Sequence, residues 1–207
     1  MQETHSTPSD ENKWITEWGG DLIFSHGTSN STGVIIGFSS NFNHNIGKIT
    51  RDKNGRVLIA DFSTDTRSYT IVNFYNSNSE SEQLDSIASL NDLIDDHISD
   101  GDRNFILSGD MNIFFDTNLD THGGQPSLKK KSLSALINLL EKIDVCDIFR
   151  IRHPDTKRFT FRQKNRNKAL IHRRLDYIFL SNSLQEFAKK SIFYLPFVVI
   201  ILLYFCP

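Results

Sequence analysis

Apolar residues come in short runs separated by Ser, Asn, Gly and Asp, and the period of those runs changes along the chain. "DLIFSHG" (21–27), "GVIIGFS" (33–39), "RVLIADFS" (56–63) and "YTIVNFY" (69–75) read as strands bounded by turn residues. Over 81–98 the period changes. Leu84, Ile87, Leu90, Ile94 and Ile98 recur at three- and four-residue steps, which predicts an amphipathic helix. "NFILSGD" (104–110) returns to strand. A second helix is predicted over 128–143, with Leu133, Leu136, Ile137, Leu140 and Ile143 on one face. "RFTFRQ" (158–163) and "RLDYIFLS" (174–181) are two late strands joined by the charged stretch "KNRNKALIHR". Many strands with few helices between them predict an α/β sandwich, two facing β-sheets flanked by helices, with Ile106 on a strand near one sheet's centre.

No internal linker interrupts residues 1–190, which read as one domain. The last segment breaks the pattern. "IFYLPFVVIILLYFCP" (192–207) is almost wholly apolar and contains Pro196. It is shorter than the roughly 20 residues a membrane span needs, so membrane attachment is a minor expectation. Residues 191–207 are expected to lie outside the domain, as a run past the natural coding frame. A tail anchor or a closing core strand are the alternatives.

Bulk properties narrow the field. The formal net charge is −2, so the chain is no polycation, and a nucleic-acid partner must be held by a local patch. Cys146 and Cys206 offer neither zinc spacing nor a disulfide framework, which predicts a reducing compartment. The N-terminal stretch lacks an apolar signal core, so a nuclear or cytoplasmic location is expected.

Polar groups sit where strands meet turns: Glu3 in "QETHS", Tyr75 and Asn78 in "NFYNSN", Asp110 and Asn112 in "SGDMN", and Asp176 in "RLDYIF". Strand ends are where open α/β sheets carry their chemistry. Asp176 interrupts an apolar run, and a carboxylate there is costly unless paired or bound to a cation. An ordinary turn at 108–112 and a satisfied buried Asp176 are the bland alternatives. Together the oxygens suit Mg²⁺ (or Mn²⁺), which takes a few carboxylates and keeps several waters.

The order "QETH", "NFYNSN", "SGDMN", "RLDYIFLS" resembles the endonuclease/exonuclease/phosphatase superfamily. Within it, the chain is similar to the apurinic-endonuclease-type domain of LINE-class (non-LTR) retrotransposons. "WGGDLIFSHGTSNSTGVIIGFS" and "VCDIFRIRHPDTKRFTFRQ" carry that subgroup resemblance. The resemblance implies a metal-dependent endonuclease that nicks DNA, joined in a parent polyprotein to a reverse transcriptase. Glu3 would ligate the metal, while Tyr75 and Asn78 would flank the scissile phosphate. Asp110 would orient or activate water, Asn112 would hold phosphate oxygens, and Asp176 would orient a catalytic histidine.

Two departures stand beside these matches. The family's first strand precedes "QETH", whereas here Met1 stands one residue ahead of Gln2. The family's closing Ser-Asp-His motif has no counterpart. The expectation is a truncated domain with impaired hydrolysis, a frayed Glu3 and surviving DNA binding. The alternatives are a catalytically dead nucleic-acid-binding remnant, or a phosphatase or sphingomyelinase of the same superfamily.

Basic residues cluster over 157–174, with Phe159 and Phe161 interleaved, a strip suited to tracking phosphates. A solvated loop is the bland alternative; the resemblance implies that this hairpin lies by the DNA, which makes Arg162, Lys164, Arg166, Arg173 and Arg174 the expected DNA contacts. "LKKK" (128–131) reads as a solvated helix start.

Overall fold

The computed structural model describes residues 1–98, 104–164 and 169–185, and the backbone of 194–195 and 198–199. Six strands make the main sheet. They are β3 (Asn45–Arg51), β4 (Val57–Ser63), β5 (Ser68–Tyr75), β6 (Asn104–Asp110), β8 (Val145–Asp147) and β11 (Asp176–Ser181), in the order β3-β4-β5-β6-β11-β8. Only β5 and β6 run parallel, and the crossover between them contains α2 (Glu80–His97). β6, which carries Ile106, lies inside the sheet between β5 and β11.

One face of this sheet packs on helices. Ile87, Leu90 and Ile94 of α2 join Leu136, Leu139 and Leu140 of α3 (Lys130–Lys142) against Val72, Phe74, Leu107, Tyr177 and Phe179. The other face packs on the antiparallel hairpin of β1 (Asp21–Ser25) and β2 (Val34–Phe38). Ile23, Val34, Ile36 and Phe38 there meet Leu58, Ala60, Ile106, Ile178 and Leu180. The alternation of inward side chains along β6 and β11 thus feeds two separate cores, which is why both strands read as nearly continuous apolar runs. The helix–sheet–sheet layering is the expected α/β arrangement of sheets flanked by helices.

Residues 1–5 are not frayed. Met1 exchanges backbone bonds with Ile35 at 2.8 and 2.9 Å, Thr4 N–H donates to Gly33 O at 3.1 Å, and His5 N–H to Thr32 O at 2.9 Å. The segment lies along β2 as an extra strip of the hairpin sheet. This corrects the expectation that the strand holding Glu3 lacks a hydrogen-bonding neighbour.

Other differences have local causes. β3 was not foreseen because "NIGKITR" is polar, as an edge strand can be. α1 (Glu11–Trp18) was missed because it buries none of its residues below the surface layer. On α2 the inward position is Gln83, fully buried, while Leu84 is 36% exposed. Within "KNRNKALIHR" lies β10 (Leu170–Arg173), which pairs with β9 (Phe161–Lys164) and β7 (Thr121–His122) in a separate three-stranded sheet. A short helix, α4 (Ile148–Arg152), follows β8. In the tail, Tyr194–Leu195 pairs with Val198–Val199 as two short strands; the rest of 191–207 lies outside the described residues. Among the described residues no helix is long and apolar enough to cross a membrane.

Candidate active site

Three neighbouring strands end in one row. Tyr75 of β5 is the register partner of Asp110 of β6, and Asp110 is the partner of Asp176 of β11. Register partners project to the same face, here the one covered by the β1–β2 hairpin. Glu3 completes the group, because its Oε1 accepts the Tyr75 hydroxyl. Glu3 sits in the left-handed region at φ 51° and is exposed, so its carboxylate stands at the mouth of the row.

Gly109 makes the row possible. Its φ is 147°, and a Cβ there would lie 1.8 Å from Phe74 O. No other residue permits β6 to approach β5 this closely at that point. Asn112 follows at φ 48° and closes an Asx turn, its N–H donating to Asp110 Oδ1 at 2.9 Å. Its side chain donates to Asn76 O at 2.9 Å, which ties the loop after β6 to the loop after β5. Asn78 is exposed on that second loop.

The carboxylates crowd one another. Burial pushes the Asp110 carboxyl up to about 8, and the charges of Asp176 and Glu3 push the same way, against the Asn112 N–H. Asp176 is also raised, first by burial and then by Glu3, with a hydrogen bond from Thr160 opposing. The Tyr75 hydroxyl is raised as well, by burial and by its bond to Glu3. An acidic cluster that resists ionisation is one that a cation would relieve. Among the described residues no three His, Cys, Asp or Glu side chains converge into a ready-made cage. A hard divalent ion held by one or two carboxylates and water does not need one. The donor set fits such an ion.

Four residues around the row were not singled out from the chain. Asn73, buried one pleat below Tyr75, donates to Met1 O at 2.9 Å and Ile35 O at 3.0 Å and accepts from Gln2 at 2.6 Å. It fastens the Glu3 segment to the main sheet. Gln83 donates to Ser77 O at 2.7 Å and Asn112 O at 3.1 Å. Lys129 reaches Asn78 O at 2.9 Å and Asn112 O at 3.3 Å, so "LKKK" is not simply solvated. Burial lowers the Lys129 ammonium, while Glu80 and Asp110 act to raise it. The Arg56 guanidinium lies 5.2 Å from the Tyr75 ring centre. Only the Asn in "VNFY" broke an apolar strand visibly; the other three bond to backbone and leave no local pattern.

The basic residues divide. Arg162 and Lys164 are exposed on β9. Arg173 is half-buried, donating to the carbonyls of His122, Gly123 and His172 at 2.7–3.1 Å. Arg174 corrects the expectation of a DNA contact. It is 1% exposed, grips Asp147 with two 2.6 Å bonds, reaches Asp120 at 3.4 Å, and lies between the rings of Phe149 and Tyr177. Its partners are far away in the chain, so nothing beside "RRLDY" announces its burial. Arg166 lies outside the described residues.

Packed sheets with carboxylates at the strand ends are the layout of the endonuclease/exonuclease/phosphatase fold, and comparison with solved structures agrees on the fold. The AP endonuclease LMAP of Leishmania major superposes with TM-score 0.67 at 17% identity, over 90% of this chain and 70% of that one. The 3′-5′ exonuclease NExo of Neisseria meningitidis gives 0.67 at 19% identity, over 91% and 78%. The endonuclease domain of TRAS1, a telomere-specific non-LTR retrotransposon, gives 0.55 at 14% identity, over 82% and 70%. No family model matches the chain. An uncharacterized 149 kDa protein of transposon TX1 from Xenopus laevis is 30% identical over 191 residues, 92% of this chain. The chain spans only 14% of that relative's length.

Proposed function

We propose that this chain is the endonuclease domain of a LINE-type retrotransposon, hydrolysing DNA phosphodiester bonds with a divalent metal, and that its turnover is impaired. The row Tyr75–Asp110–Asp176 with Glu3 at its mouth carries the reading. Glu3, with Asp110 or Asp176, would hold Mg²⁺ (or Mn²⁺), which supplies charge stabilisation to the phosphate oxygens when bound. Asp110, its oxygen fixed by the Asn112 N–H, would receive the proton of the attacking water. Tyr75 and Asn78 would flank the phosphate, and Asn112 would position its oxygens. Lys129 and Gln83 would hold the two loops in register, Arg162 and Lys164 would meet the flanking backbone, and Arg173, bonded to three carbonyls, would hold the small sheet in place. DNA is the proposed partner, with a reverse transcriptase elsewhere in the parent polyprotein.

Impairment rests on Asp176. Among the described residues its neighbour is Thr160, whose hydroxyl accepts the Asp176 N–H at 3.1 Å, and not a histidine that it could orient. The basic strip and the transposon relative argue against a phosphatase or sphingomyelinase.

A plasmid-nicking assay tests the reading. The chain should nick slowly in Mg²⁺, stop with a chelator, stop in Asp110→Ala, and speed up with added imidazole. Equal nicking by Asp110→Ala would overturn the site. Fast nicking that ignores imidazole would overturn only the impairment.

A further inference from the structure

The three-stranded sheet β7-β10-β9 carries a second row. His172 of β10 is the register partner of His122 on β7 and of Arg162 on β9. Two imidazoles and a guanidinium therefore share one face. Lys164 stands two residues beyond Arg162, paired with Leu170, so it belongs to the same face. The opposite face carries Thr121, Ile171 and Arg173, with Ile171 against Gly124 and Arg173 over Phe114, 5.9 Å from its ring centre. That face turns to the body of the protein, and the His–Arg face turns outward.

We infer that the His122–His172–Arg162 face is a proton-linked docking surface for the nucleic-acid backbone, binding phosphate more tightly as the two imidazoles take up protons. The inference rests on the DNA-nuclease reading and adds regulation by pH to it.

The imidazoles have few rivals for that proton. Arg162 from β9 and His122 from β7 flank His172 on its own face, Arg173 follows it on the other, and burial together with these groups lowers its affinity for a proton. Phe159 supplies an uncharged ring 5.3 Å away, and the two imidazole centres are 5.7 Å apart. His172, His122, Arg162 and Lys164 thus share one face, with no carboxylate among the groups acting on His172. With no anion present, the neighbouring cations oppose protonation of His172. A phosphate laid across the face reverses the sign of the local field and stabilises both imidazolium forms. Each imidazole raised by about one unit on binding makes the complex about tenfold tighter below its pKa.

The test is anisotropy of a labelled DNA duplex with the full chain, at fixed salt, from about pH 8 down to about pH 5.5, where histidine titrates. Wild type should tighten about tenfold or more over that span. His122→Gln/His172→Gln should keep the binding seen at the alkaline end and lose most of the gain. Asp110 also gains a proton in this range, but equally in both proteins, so the difference isolates the histidines. The same slope in the double variant would overturn the inference while leaving DNA binding intact. No binding at any pH would overturn both the inference and the DNA reading. A proton titration of His172 by NMR, with and without duplex, gives a second readout that requires no variant. An unmoved His172 would sink the proposal.

Discussion

The strand-end row and the three-stranded sheet are joined by two residues, Arg174 and Leu175, yet they hold charge in opposite ways. In the row, Asp110 and Asp176 are half-buried beside one another and kept reluctant to ionise. On the small sheet, Arg162, Lys164 and His122 are displayed on an exposed face. Between them sits Arg174, a cation wholly consumed by Asp147 and Asp120. Neighbouring arginines in one short stretch therefore have unrelated duties, and burial separates them where composition cannot. A buried ion pair fixes the geometry of the site's edge, whereas an exposed cation contributes little to folding and much to long-range attraction.

Substitutions sharpen that contrast. Arg174→Ala takes both guanidinium bonds from Asp147 and leaves Asp120 to Arg150, and should cost about 3 kcal/mol of stability, read by chemical denaturation. Asn73→Ala removes three bonds at the seam between the sheets and should cost roughly 2–3 kcal/mol, with weaker metal binding by calorimetry. Asp110→Asn should abolish nicking yet stabilise the metal-free chain by on the order of 1 kcal/mol, read as a higher melting temperature, because it relieves the crowded acids. Arg162→Ala should leave the melting temperature unchanged and reduce the salt slope of DNA binding by about one.

pH separates the regions further. Asp110 keeps its proton in the fold up to about 8 but loses it in the unfolded chain near the ordinary carboxylate value. The folded state then binds more protons across that window, so metal-free stability falls as pH rises through it. Divalent metal should stabilise the fold more at alkaline than at acid pH. A thermal shift with and without Mg²⁺ checks this, and an equal shift at both ends would remove the metal from the row.

Much of the row was legible because its members break rules locally. Asp176 interrupts an apolar strand, and Gly109-Asp110 ends one. Their meeting was legible only through the resemblance, since register between distant strands leaves no trace in spacing. The supporting residues were hidden for a physical reason. Gln83 and Lys129 bond to backbone carbonyls, which any residue offers, and Arg174 answers to acids 27 and 54 positions away. On α2 the periodicity placed Leu84 inward, but the loop carbonyls at the helix start required an amide there, and Gln83 took the buried position.

The strip formed by residues 1–5 has one more consequence. By occupying the hydrogen-bonding edge of β2, it also keeps that edge from acting as a template for another chain. The segment that presents Glu3 is therefore a guard against self-association, and Asn73 is the latch for both duties. Loosening the latch should do more than weaken the grip on a metal. At raised protein concentration Asn73→Ala should form sheet-rich aggregates that wild type does not, visible by light scattering and thioflavin fluorescence.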